Sequence, residues 1–138
     1  HCNNIKNDRF VPILDCTKTA VDEKIAFHQE GGGYEPIKLE FTALDSEPET
    51  QNTVKLLYEI YYGSTPQKVA EANMIRKDVE TELEKFQKCV REYQESDGED
   101  KKDAECLLRL SLKWNTPFAA FKHWIIRDYF PELTGYCH

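Results

Sequence analysis

No long apolar run appears in this chain. Its uninterrupted hydrophobic stretches last only a few residues, against the roughly twenty that a membrane-spanning helix needs. Membrane insertion is therefore not expected. Positive charge is also scarce: Lys and Arg number 18 against 25 Asp and Glu, for a formal net charge of -7 and a pI near 5.1. A field of that sign repels phosphate, which argues against nucleic acid and anionic membrane surfaces as partners. The Lys101-Lys102 pair is too short to reverse it.

Catalytic signatures are missing too. The chain contains no G-x-S-x-G elbow, no phosphate-binding G-x-x-x-x-G-K-[ST], no G-x-G-x-x-G and no H-E-x-x-H. The Gly31-Gly32-Gly33 run follows no predicted strand and reads as a flexible helix end rather than a phosphate cradle. Acids such as Glu80, Glu82 and Glu84 have Lys77, Lys85 and Lys88 near them at helical spacing, the pattern of a solvated, ion-paired face. His1 and His138 flank the terminal cysteines and read as frayed ends, His28 closes a first helix, and His123 reads as a partly covered surface residue. No enzyme, cofactor or metal is expected.

Cysteine is not scarce. Five stand in 138 residues, widely spaced and with no C-x-x-C, which fits structural disulfides and a secreted protein better than zinc or redox use. The chain opens at "HCNNI" with no Met, as a mature secreted protein would. An odd count leaves one thiol free, capped, or bridging to a second chain as a disulfide-linked dimer.

The length is that of one domain, residues 1–138, with a core of its own. Phe10, Leu14, Val21 and Ile25 share a stripe that predicts a helix over 8–29, stopped by the glycine run. Ile37, Leu39 and Phe41 alternate with Lys38, Glu40 and Thr42 and predict a brief strand. Ser46-Glu47-Pro48 then starts a helix over 47–62. Gly63, with Ser64 or Thr65 before Pro66, divides that helix from a longer one over 64–95, because a proline inside one continuous helix costs about 3 kcal/mol. Ala72, Ile75, Val79, Leu83, Phe86, Val90 and Tyr93 give the longer helix its stripe, and Ser96-Asp97-Gly98 ends it. "CLLRLSLKW" suits both periods; the alternation of Cys106, Leu108, Leu110, Leu112 and Trp114 tips it to strand. A last helix over 117–130 carries Phe118, Phe121, Trp124, Ile125 and Tyr129.

The links between the four predicted helices run long, minimal, long, which is the spacing of an up-up-down-down bundle. The expected fold is all-α, or mainly α with a short two-stranded ribbon: a four-helix bundle stapled by disulfides. This layout resembles the short-chain four-helix cytokines, with "IKLEF" and "LLRLSLKW" falling in the two crossovers and cysteines in "HCNNI" and "GYCH" at the two ends. The resemblance covers most of the chain and carries no diagnostic motif. It implies pairing of the crossover segments as a ribbon and a bridge from Cys2 to Cys137. The chain departs from the family in its very long third helix, its short second one and its lack of N-x-S/T sites. Small helical salivary or venom proteins share the same features.

For the other cysteines, Cys89 with Cys106 would staple the third helix to the following segment and leave Cys16 as the odd thiol; Cys16 with Cys89 is the equal alternative. The function expected is a secreted, cytokine-like ligand or modulator that binds an extracellular protein, a receptor or host factor, through helix faces. Arg and aromatic residues are the usual anchors of such contacts, and here they are Arg76, Arg91, Lys122, Arg127 and Tyr129. Tyr62, Trp114 and Tyr136 are further aromatics that short helices cannot wholly bury. A carrier holding a small apolar ligand between helices is the alternative.

Overall fold

The computed structural model describes residues 13–15, 20–32 and 34–137. These form a short helix α1 (Val21–Lys24), strands β1 (Ile25–Gly32) and β2 (Glu35–Ala43), and helices α2 (Pro48–Tyr62), α3 (Pro66–Glu95), α4 (Gly98–Ser111) and α5 (Ala119–Tyr129). A 3-10 helix (Pro131–Cys137) closes the chain. The protein is thus mainly helical with one two-stranded antiparallel sheet. It divides into two compact units between Arg76 and Lys77, within α3.

In the first unit, β1 pairs with β2 in a register that sets Ile25 opposite Ala43, Phe27 opposite Phe41 and Gln29 opposite Leu39. Ile37, Leu39 and Phe41 are buried while Lys38, Glu40 and Thr42 are exposed, the alternation expected of this strand. The bend between the strands depends on Gly31, whose φ of 78° suits glycine. A Cβ there would stand 2.5 Å from the Pro36 carbonyl oxygen.

The helix expected over 8–29 is corrected by β1. From Ile25 onward this segment is strand, and His28 stands opposite Glu40 in the ladder rather than at a helix end. Val21, Ile25 and Phe27 fit a helical stripe only while the segment is considered alone. Pairing with β2 satisfies the backbone groups that the two segments turn toward each other, and sets the Phe27 ring edge-on against Phe41, with centroids 5.5 Å apart. Gly31, expected to help end a helix, stands at the hairpin bend instead. Residues 8–12 and 16–19 of the expected helix lie outside the described residues.

Helix α2 starts at Pro48, where the missing N–H is harmless. The Glu47 N–H donates to Asp45 Oδ1 at 3.0 Å, so Asp45 rather than Ser46 steadies the entry. Phe41 packs edge-on against Tyr58 at 5.1 Å and lies against Tyr61 at 5.4 Å. The Leu14 N–H donates to Thr53 Oγ1 at 2.8 Å, tying the chain before β1 to α2. Gly63 ends the helix at φ 75°, its N–H donating to the Glu59 carbonyl at 2.9 Å. With Pro66 opening α3, the division into two helices is as expected.

In the second unit, the α3 stripe is buried as predicted at Val79, Leu83, Phe86 and Val90. Two residues, Ser96 and Asp97, then separate α3 from α4. The strand expected over 106–114 is corrected here: residues up to Ser111 are helix, as is most of the charged segment before them. Ala104, Leu108 and Leu112 are buried at steps of four, and among the described residues no strand is available to pair with the alternating set. The ribbon implied between the two crossovers is therefore absent, since β2 pairs with β1. Helix α5 forms close to its expected bounds and buries Phe121, Ile125 and Ile126.

Candidate protein-binding surface

Because α4 buries its face at Ala104 and Leu108, the residues on the other side meet solvent. Cys106, Leu107 and Leu110 are exposed there. The chain then turns through residues 112–118, and Trp114 in that turn is 49% exposed. Leu107, Leu110 and Trp114 follow at steps of three and four, which carries an apolar stripe off the end of the helix.

Trp114 is held from below. Its ring packs against the His123 imidazole at a tilt of 58°, with centroids 4.5 Å apart. His123 is buried, which corrects the expectation that it lies at the surface. Its Nε2 stands 2.7 Å from the Leu112 carbonyl oxygen, an atom that only accepts, so the proton is on Nε2. One buried histidine on α5 thus holds both the Leu112 carbonyl at the end of α4 and the exposed indole beside it. Thr116 Oγ1 also donates to the Ser111 carbonyl at 3.0 Å. Phe118 closes the turn at φ 56°, a conformation that bulky side chains rarely adopt and that surrounding packing must hold.

Lys122 departs furthest from expectation. Named as a surface anchor, it is 1% exposed, with Nζ 3.2 Å from Glu82 Oε1 and 6.0 Å from the centre of the Phe86 ring. A buried ammonium needs a paired carboxylate, and Glu82 on α3 supplies it, so Lys122 is not available to a partner. Arg76 is half-buried in the first unit. Its guanidinium donates to the Tyr61 carbonyl and to Asn73 Oδ1 and lies 4.6 Å from the centre of the Tyr62 ring. Arg91 is exposed on α3. On α5, Arg127 covers the Trp124 ring at 5.0 Å, and Tyr129 is 62% exposed. The structure leaves Arg91, Arg127 and Tyr129 on the surface of this unit and adds Leu107, Leu110 and Trp114 to them.

Cys89 and Cys106 carry free thiols, so neither the Cys89–Cys106 staple nor the Cys16–Cys89 pairing is formed. Cys89 is half-buried and Cys106 exposed. Burial pushes the Cys89 thiol above its usual pKa, against the Ser111 hydroxyl, which lowers it. Cys137 is buried at the end of the 3-10 helix. Its suggested partner Cys2 lies outside the described residues, as does Cys16. Among the described residues, no three His, Cys, Asp or Glu side chains gather in a way that could hold a metal ion, and no helix is long and apolar enough to cross a membrane.

No family model, no curated protein and no solved structure matches the chain.

Proposed function

We propose that this chain is a secreted, non-enzymatic protein that binds an extracellular protein, a receptor or host factor, through helix surfaces of its second unit. The observation that carries the reading is Trp114: a half-exposed indole seated on a buried histidine, with exposed Leu107 and Leu110 beside it. Interface anchors are typically rigid aromatic residues, because little side-chain entropy remains to be lost on binding. Arg127 and Tyr129 on α5 and Arg91 on α3 are the additional contact candidates. The net charge of -7 favours a basic partner surface. Secretion carries with it a Cys2–Cys137 bridge, which peptide mapping without reductant checks.

The test is binding of the purified chain to a panel of extracellular ectodomains, repeated with Trp114→Ala, Leu110→Ala and Arg127→Ala. A partner whose affinity falls by roughly 30-fold with Trp114→Ala supports the reading. Binding unchanged by all three substitutions overturns the surface.

A further inference from the structure

We propose that Tyr93 and Tyr136 form an oxidative modification site, at which a haem-peroxidase-class oxidant with hydrogen peroxide joins the two rings into an intrachain dityrosine. Tyr93 stands near the end of α3 and Tyr136 in the closing 3-10 helix. Their hydroxyl oxygens are 2.9 Å apart and their ring centroids 5.8 Å apart, so the rings meet at their hydroxyl ends. The ortho carbons, where a phenoxyl radical carries much of its unpaired spin, flank those ends. Both rings are half-buried, so each keeps some surface through which the oxidant can draw an electron.

The surroundings give the phenolic proton somewhere to go. The Tyr136 hydroxyl donates to Glu105 Oε1 at 2.8 Å, so between the two phenols Tyr93 is the donor and Tyr136 the acceptor. Losing an electron makes a phenol strongly acidic, and a carboxylate already bonded to it takes the proton at once. Arg109 lies over the Tyr136 ring at 4.5 Å, and its Nη2 is 3.3 Å from the same Glu105 oxygen, while Lys101 Nζ lies over the Tyr93 ring at 4.6 Å. These contacts hold the carboxylate and both rings in place.

The step balances. Each tyrosine gives up one electron and its phenolic proton, the two radicals couple by a bond between an ortho carbon of each ring, and the two displaced ring hydrogens return to the oxygens by tautomerisation. The chain loses two hydrogens in all, and one hydrogen peroxide becomes two waters. The product fastens the C-terminal segment to α3 by a bond that thiols cannot cleave.

The experiment treats the full chain, dilute, with horseradish peroxidase and hydrogen peroxide, then with reductant to reverse any disulfide. The expected product is a monomer lighter by two hydrogens, with dityrosine fluorescence and a tryptic cross-link between residues 92–101 and 128–138. Tyr93→Phe and Tyr136→Phe each abolish it, whereas Tyr129→Phe, which removes the other tyrosine of the second peptide, leaves it intact. Glu105→Gln slows it several-fold by removing the proton acceptor. Cross-linked dimers through exposed Tyr34 or Tyr129 with no intrachain product overturn the proposal. So does an unchanged chain under conditions that oxidise free N-acetyltyrosine.

Discussion

The Tyr62 hydroxyl takes both backbone groups of Leu39, accepting from its N–H at 2.8 Å and donating to its carbonyl at 2.9 Å. One turn earlier on α2, Tyr58 does the same to Phe41 at 3.1 and 3.3 Å. In an antiparallel pair, alternate residues turn their backbone groups away from the neighbouring strand. The two hydroxyls occupy that outer edge of β2 as a third strand would. The spacing matches: four helical residues rise about 6 Å and two strand residues about 6.7 Å. An edge that would otherwise invite pairing with another chain is thereby covered.

Tyr62→Phe removes only an oxygen and leaves the Leu39 N–H and carbonyl without their partner. The expected loss is about 1–3 kcal/mol of unfolding free energy, with a smaller loss for Tyr58→Phe, whose bonds are longer. Urea unfolding measures both. Faster amide exchange at Leu39 in Tyr62→Phe alone would locate the effect; equal stability of wild type and double variant would refute it.

Glu82 and Lys122 predict an asymmetry. Removing the carboxylate leaves a buried ammonium unpaired, whereas replacing the lysine by methionine fills the same space with no charge. Glu82→Ala should cost about 2 kcal/mol, below the usual range for a fully buried pair because Glu82 keeps 26% exposure. Lys122→Met should cost less than Glu82→Ala. The reverse order in thermal or urea unfolding would mean that the pair is not the reason Lys122 lies inside.

Stability should fall at both ends of the pH scale. Burial pushes the Tyr61 phenol up to about 12. Above pH 10 the unfolded chain loses this proton while the native one keeps it, so stability falls between about pH 10 and 12, by up to roughly 2–3 kcal/mol. Tyr61→Phe should flatten that slope. At the acid end, the Tyr136 hydroxyl and then Arg109 hold the Glu105 carboxyl below its usual pKa. Its contribution is present above the ordinary carboxylate range and disappears as pH falls through the lowered value. Glu105→Gln should weaken the acid dependence seen in unfolding curves.

The Cys89 and Cys106 thiols should react at different rates. Cys106 is exposed, while Cys89 is half-buried and its thiol is held protonated by its surroundings. Under native conditions a maleimide should label Cys106 at least ten times faster. Labelling of Cys89 first, read by peptide mass, would contradict the placement of both residues.

A native mass spectrum without reductant separates the two functional readings. A protein-binding ligand should show the mass of the chain alone. Extra mass that departs on denaturation would identify a carrier instead.

What the sequence determined by itself was set by local chemistry. Pro48, Gly63 and Pro66 restrict the backbone wherever they stand, so the bounds of α2 and the break before α3 were legible without any partner. The long stripe of α3 and the alternation of Ile37, Leu39 and Phe41 were legible because each fits one period only. Segments that fit two periods were decided by tertiary structure. Ile25–Gly32 became strand because β2 lay beside it to complete its hydrogen bonds, and "CLLRLSLKW" became helix through most of its length because no strand did. The same reason governs the site. Whether Lys122 and His123 face water or the interior depends on Glu82, the Leu112 carbonyl and Trp114, nine to forty residues away along the chain. The exposure of Leu107 and Leu110 likewise follows from which face of α4 the second unit chose to bury.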